Sequence, residues 1–142
     1  AQKLELDGLK FQEGDVSHCE AGPIDVMIAL HACDTATDDS IAWAVKNSAK
    51  VIMLAPCCHH DLQAQIDLVP EPWSLLTRHG VVSERLIDLM TDSLRAQILK
   101  LLGYRVDIVE FIGGEHTPRN IMIRAVKTGV KVDPAEVETI TD

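Results

Sequence analysis

Ile24-Asp25-Val26-Met27-Ile28-Ala29-Leu30 and Lys50-Val51-Ile52-Met53-Leu54-Ala55 are two nearly unbroken apolar runs, the first opened by Gly22-Pro23 and the second closed by Pro56. Short runs of this kind between turn residues mark strands buried on both faces, as in parallel sheets. Between them Ile41, Ala42, Val45 and Ala49 recur at helical spacing. Thr35 or Thr37 is positioned to cap that helix, with Asp38 and Asp39 in its first turn, where carboxylates favour the helix dipole. Residues 24–55 are therefore expected to form strand, helix and parallel strand, the unit of an α/β fold.

Outward from this unit, Leu9-Lys10-Phe11-Gln12-Glu13 alternates apolar and polar residues up to Gly14-Asp15, the pattern of a short strand and turn. Leu86, Met90, Leu94, Ile98 and Leu101 predict one face of a long helix that starts near Ser83 and stops at Gly103, a C-cap glycine. Tyr104 to Ile112 and Asn120 to Val126 then predict an antiparallel hairpin around the turn-rich Gly113-Gly114-Glu115-His116-Thr117-Pro118-Arg119. The polar stretch 128–142 is expected to be a tail or the start of a further helix, leaving 1–127 as the folded domain.

Composition bounds the function classes. The chain has 142 residues, 46% hydrophobic and 25% charged, which suits one ordinary core and excludes general disorder. Its net charge of -9 repels a polyanion unless the cations are segregated. No apolar run approaches the ~18 residues of a membrane span. The four cysteines lack the spacing of a secreted disulfide scaffold, so reduced thiols in a cytoplasmic protein are expected. The chain begins at Ala1 without Met or a signal-like start, which disfavours secretion and is compatible with truncation.

Both buried strands run into reactive side chains: His31-Ala32-Cys33-Asp34 after the first and Cys57-Cys58-His59-His60 after the second. Parallel neighbours would bring both clusters to the carboxyl edge of the sheet, where open α/β folds bind ligands.

Leu30-His31-Ala32-Cys33-Asp34-Thr35-Ala36-Thr37-Asp38, Ala55-Pro56-Cys57-Cys58-His59-His60 and Glu115-His116-Thr117-Pro118-Arg119-Asn120-Ile121-Met122-Ile123-Arg124 together resemble the bacterial class I S-adenosylmethionine-dependent methyltransferases. The first two motifs are also similar to those of a eukaryotic family that methylates tRNA ribose. The resemblance covers residues 5–126 and implies a Rossmann-like methyltransferase sheet, mostly parallel with a C-terminal antiparallel hairpin. The family's Gly-rich turn and ribose-holding acidic residue have no counterpart here, and the Leu9 strand resembles its third. The first strand, first helix and second strand are thus expected to be missing, and the chain looks like the C-terminal portion of such a domain. In the family's order this leaves the 24–30 strand with an open edge, expected to pair with the Leu9 segment, form a homodimer or swap elements.

The resemblance implies S-adenosylmethionine as cofactor, with Asp15 accepting from the adenine amino group and His31 and Ala32 beside the cofactor. His31 and Asp34 would face the transferred methyl and the acceptor, with His31 as base and His59 or His60 as second choice. Cys57, Cys58, His60, His116, Arg119 and Asn120 would line the acceptor, whether RNA, protein or small molecule. On the residues alone, Asp15 also reads as a turn carboxylate satisfying backbone groups, and the hairpin residues as a solvated turn. Trp43 and Trp73 are expected to be packing residues. Arg78, Arg85, Arg95 and Lys100, interleaved with Glu84, Asp88 and Asp92, are expected to form a solvated helix face.

The cysteines open two further readings. Pro56-Cys57 resembles the nucleophile of pyrimidine C5-methyltransferases. His31, Cys33, Cys57, Cys58 and a histidine could also bind zinc, as a non-catalytic module derived from the same fold. Adjacent Cys57 and Cys58 lack the usual ligand spacing, with side chains expected to point apart, so no residue is assigned to a metal.

Overall fold

A computed structural model describes residues 8–66, 69–114, 117 and 119–129. It is an α/β structure with strands β1 (Val26–Leu30), β2 (Val51–Ala55), β3 (Tyr104–Glu110) and β4 (Ile121–Lys127). The helices are α1 (Thr35–Lys46), α2 (His60–Gln65), α3 (Ser74–Thr77) and α4 (Gly80–Leu101), and a 3₁₀ turn spans Val16–His18. The strands form one sheet in the order β1-β2-β4-β3.

The β1-α1-β2 unit forms as the sequence predicts, with β1 and β2 parallel and Leu30 opposite Ala55. The hairpin forms too: β4 runs antiparallel to β3 and inserts between it and β2. Gly103 ends the long helix at φ 85°, a conformation glycine adopts without penalty, and its amide donates to the Lys100 carbonyl at 2.9 Å.

Four expectations need correction. Leu9–Glu13 is not a strand, because five alternating residues hold an extended hydrogen-bonded form only against a neighbour, and none is present among the described residues. Phe11 is accordingly 84% exposed. The described sheet is mixed, not mostly parallel, since the hairpin adds two antiparallel pairings to the single parallel one. Neither Thr35 nor Thr37 caps α1: the N-cap residue is Asp34, without a side-chain cap bond, and buried Thr37 donates instead to the Ala32 carbonyl.

The fourth concerns burial. α1 packs on β1 and β2, and α4 on β3 and β4. Ile41, Ala44 and Leu99 join Met27, Ile52, Leu54, Tyr104, Ile123 and Ala125 in one core, so both helices cover the same face. Unbroken apolar runs predict strands buried on both sides. Instead Val26, Ile28 and Leu30 are 51%, 59% and 61% exposed, because no described element covers the other face. β1 also pairs only with β2 among the described residues. An apolar edge strand of this kind templates pairing with another chain, and the Leu9 segment does not occupy it. Self-association through β1 is the proposal that follows. Ile28→Lys is expected to shift the chain toward monomer in sedimentation velocity, and an unchanged distribution would remove β1 from the contact.

Candidate functional site

The register of β1 and β2 sets the two reactive loops side by side at the carboxyl edge, and backbone bonds hold them there. The Asp34 amide donates to the Cys58 carbonyl at 3.2 Å. Both oxygens of the Asp34 carboxylate accept from the Asp61 amide at 3.0 Å, at the start of α2. His31 and Asp34 both adopt φ 57°, a conformation that costs side-chain-bearing residues energy and that functional sites often retain. The backbone thus sets the His31–Asp34 and Cys57–His60 segments next to each other at the carboxyl edge.

Three sulfur atoms meet between the loops. Cys33 Sγ lies 3.3 Å from Cys57 Sγ, and Cys57 Sγ lies 3.8 Å from Cys58 Sγ. All three sulfurs lie within 4.8 Å of one another. The Cys57 and Cys58 side chains were expected to diverge as on a strand. β2 ends at Ala55, however, so both residues sit in irregular backbone where alternation does not apply. Desolvation, helped by the neighbouring Cys33 and Cys58 thiols, pushes the Cys57 thiol up to about 12.

Beneath the loops runs a ladder of charges, in which Asp92 and Arg95 are buried although their interleaving along the helix predicts a solvated face. His59, 5% exposed, places Nε2 at 2.9 Å from Asp92 Oδ1 and Nδ1 at 3.0 Å from Asp88 Oδ1. Only the first contact has hydrogen-bond alignment. Arg95, 3% exposed, donates through Nε and Nη2 to both oxygens of Asp38 at 2.8 and 2.9 Å. It also donates to Asp92 at 3.2 Å and to the Asp34 carbonyl at 3.0 Å. Desolvation of the guanidinium is outweighed by Asp38 and Asp92, so its pKa lies above the ordinary value. The inner face of α4 is therefore Ile87, Asp92, Arg95, Ala96 and Leu99, while the predicted stripe residues Met90, Leu94 and Ile98 are exposed. Charged residues enter the inner face here because each finds an opposite charge.

Arg119 reaches Glu84 at 2.8 Å and lies 3.9 Å from Asp88, docking the hairpin turn on α4. Buried Asn120 donates to the Ile112 carbonyl at 2.8 Å and closes that turn. His60 is exposed in the first turn of α2. His116, and its neighbours Glu115 and Pro118, lie outside the described residues. Asp15 accepts from the Ser17 amide and hydroxyl at 2.8 and 2.7 Å, both on Oδ1, and these bonds lower its pKa. It caps the 3₁₀ turn, the local role open to any turn carboxylate. Trp43 is a packing residue, as expected, with its indole donating to the Cys19 carbonyl at 2.7 Å.

The short second-loop helix, the buried Asp92–Arg95 pair and the Asp88–Arg119 link were not foreseen. The spacing of Asp88, Asp92 and Arg95, which lines up acid, acid and base along one side of a helix, was the available signal.

Residues 1–65 match a family model described as a methyltransferase domain, and this stretch contains both loops. The match supports a methyltransferase domain. No curated protein and no solved structure matches the chain significantly. Among the described residues no helix is long and apolar enough to cross a membrane.

Proposed function

We propose that the chain forms the acceptor-side half of a Rossmann-like, S-adenosylmethionine-dependent methyltransferase domain, with the His31–Asp34 and Cys57–His60 loops bordering the site of transfer. The observation that carries this reading is the in-register ending of β1 and β2, which aligns both loops at the carboxyl edge. The methyltransferase-domain match over the same residues supports it.

The residues fit such a cofactor from one side. His31 and Ala32 follow directly on β1, and Asp15 keeps Oδ2 able to accept from an adenine amino group, since both Ser17 bonds fall on Oδ1. No Gly-rich turn follows β1 or β2, the parallel strands of the described residues. When bound, the sulfonium supplies an electrophilic methyl group. His31, exposed on the loop, is the residue to take a proton from a hydroxyl acceptor; a stronger nucleophile needs only alignment. Asp34 holds the first loop to α2, and His59 anchors the second loop to α4. Exposed His60 and the half-buried Cys57 and Cys58 border the acceptor, while Arg119 and Asn120 set the position of the hairpin turn. An RNA acceptor would need basic residues from elsewhere, given the net charge of -9. Four free cysteines suit the cytoplasm.

Calorimetric titration with S-adenosylmethionine tests the reading on the 142-residue chain and on a version extended by whatever is encoded upstream of Ala1. One-to-one binding by the extended chain, with the shorter one weaker or silent, is expected. A silent extended chain overturns the cofactor assignment.

A further inference from the structure

We propose that Cys33, Cys57 and Cys58 form a three-thiolate zinc site whose fourth coordination position opens to solvent at the carboxyl edge of the sheet. The proposal goes beyond methyl transfer and does not rest on it.

The first argument is geometric. Zinc binds thiolate sulfur at about 2.3 Å, so two sulfurs of a tetrahedral site stand about 3.8 Å apart. Cys57 and Cys58 have that separation at 3.8 Å, Cys33 and Cys57 are 3.3 Å apart, and the three sulfurs span no more than 4.8 Å. Small side-chain rotations bring all three to one ion. A disulfide between Cys33 and Cys57 would use two sulfurs and leave the third without a role.

The second argument is pre-organisation. The two loops are joined by bonds that involve no sulfur: Asp34 N–H to the Cys58 carbonyl, and Asp61 N–H to the Asp34 carboxylate. The fold therefore assembles the three donors without the metal, and binding need not order them. The third is donor chemistry. Three soft sulfurs favour zinc over magnesium or calcium, which take oxygen ligands. Cys33 is exposed while Cys57 and Cys58 are half-buried, which gives an ion an entry path from one side.

As the three Zn–S bonds form, each sulfur releases its proton to solvent and the six-coordinate aqueous ion sheds all but one of its waters, leaving three thiolates and one water on the ion. A site with three protein ligands and one exchangeable position binds an incoming donor atom as a Lewis acid, unlike a closed structural site.

The reduced full chain, titrated anaerobically with Co²⁺ and then Zn²⁺, provides the test. One equivalent of Co²⁺ is expected to give a near-ultraviolet thiolate-to-cobalt band that Zn²⁺ abolishes. Cys33→Ser, Cys57→Ser and Cys58→Ser should each weaken binding about tenfold or more, by analogy with losses at metal sites; Cys19→Ser should not. Circular dichroism of the metal-free variants checks that folding is kept. Thiol counting on the unsubstituted chain is an independent readout: one equivalent of Zn²⁺ should protect three of the four cysteines. Absence of the band, binding that survives all three substitutions, or a Cys33–Cys57 disulfide whose reduction yields no metal uptake would each overturn the proposal.

Discussion

Replacing Arg95 by alanine is expected to lower folding stability by about 3 kcal/mol, near the lower end of the range for breaking a buried ion pair. The guanidinium is 3% exposed and makes four bonds, to Asp38 twice, to Asp92 and to the Asp34 carbonyl. The lower end applies because the partners do not all lose equally. The Asp38 side chain is 53% exposed and can rehydrate, and Asp92 keeps His59 at 2.9 Å. The unrelieved cost falls on the Asp34 carbonyl and on the remaining charge of Asp92. Arg95→Lys keeps the charge but loses the two-pronged contact with Asp38, so it should fall between alanine and the native residue. Urea unfolding with an unchanged denaturant slope measures both variants. A loss below about 1 kcal/mol for Arg95→Ala, the range of an exposed pair, would mean that the network is effectively solvated.

Leu99→Ala is expected to cost about 2–5 kcal/mol, whereas Ile98→Ala on the same helix should stay within about 1 kcal/mol. Leu99 is fully buried in the core with Ile52, Leu54 and Ile123, while its neighbour Ile98 is 49% exposed. Truncating the first leaves a cavity between α4 and the sheet; truncating the second removes atoms that already touch water. Equal losses at the two positions, read from the same urea transitions, would show that the helix is rotated about its axis.

That contrast also shows what could be read from the sequence. β1 and β2 were legible because unbroken apolar runs between Gly-Pro and Pro leave little choice. Their parallel pairing alone brings the two reactive loops together. The rotation of α4 was not legible. Apolar residues occupy two sides of this helix, and counting them selects the stripe from Leu86 to Leu101. Buried Asp92 and Arg95 decide the matter, and their partners Asp38 and His59 come from segments 57 and 33 residues away. Periodicity carries no information at that range.

The Leu9 segment failed for a related reason. Alternation reports a preference for extended backbone, and a strand also requires a neighbour to bond. The thiol cluster failed because Cys57 and Cys58 were treated as continuing the strand that ends at Ala55. Two residues of irregular backbone suffice to turn both sulfurs toward Cys33.

The charges beneath the loops form a continuous series: Glu84, Arg119, Asp88, His59, Asp92, Arg95 and Asp38. Each interior member has two neighbours of opposite potential charge, so removing one alters the balance for both. Their energies are therefore expected to be non-additive, as in any set of residues that share partners. Loss of His59 would change what Arg95 is worth, and loss of Arg119 would change what His59 is worth. The series thereby links the hairpin turn, α4, the second strand-end loop and α1, so a change in any one of them is expected to be felt in the others.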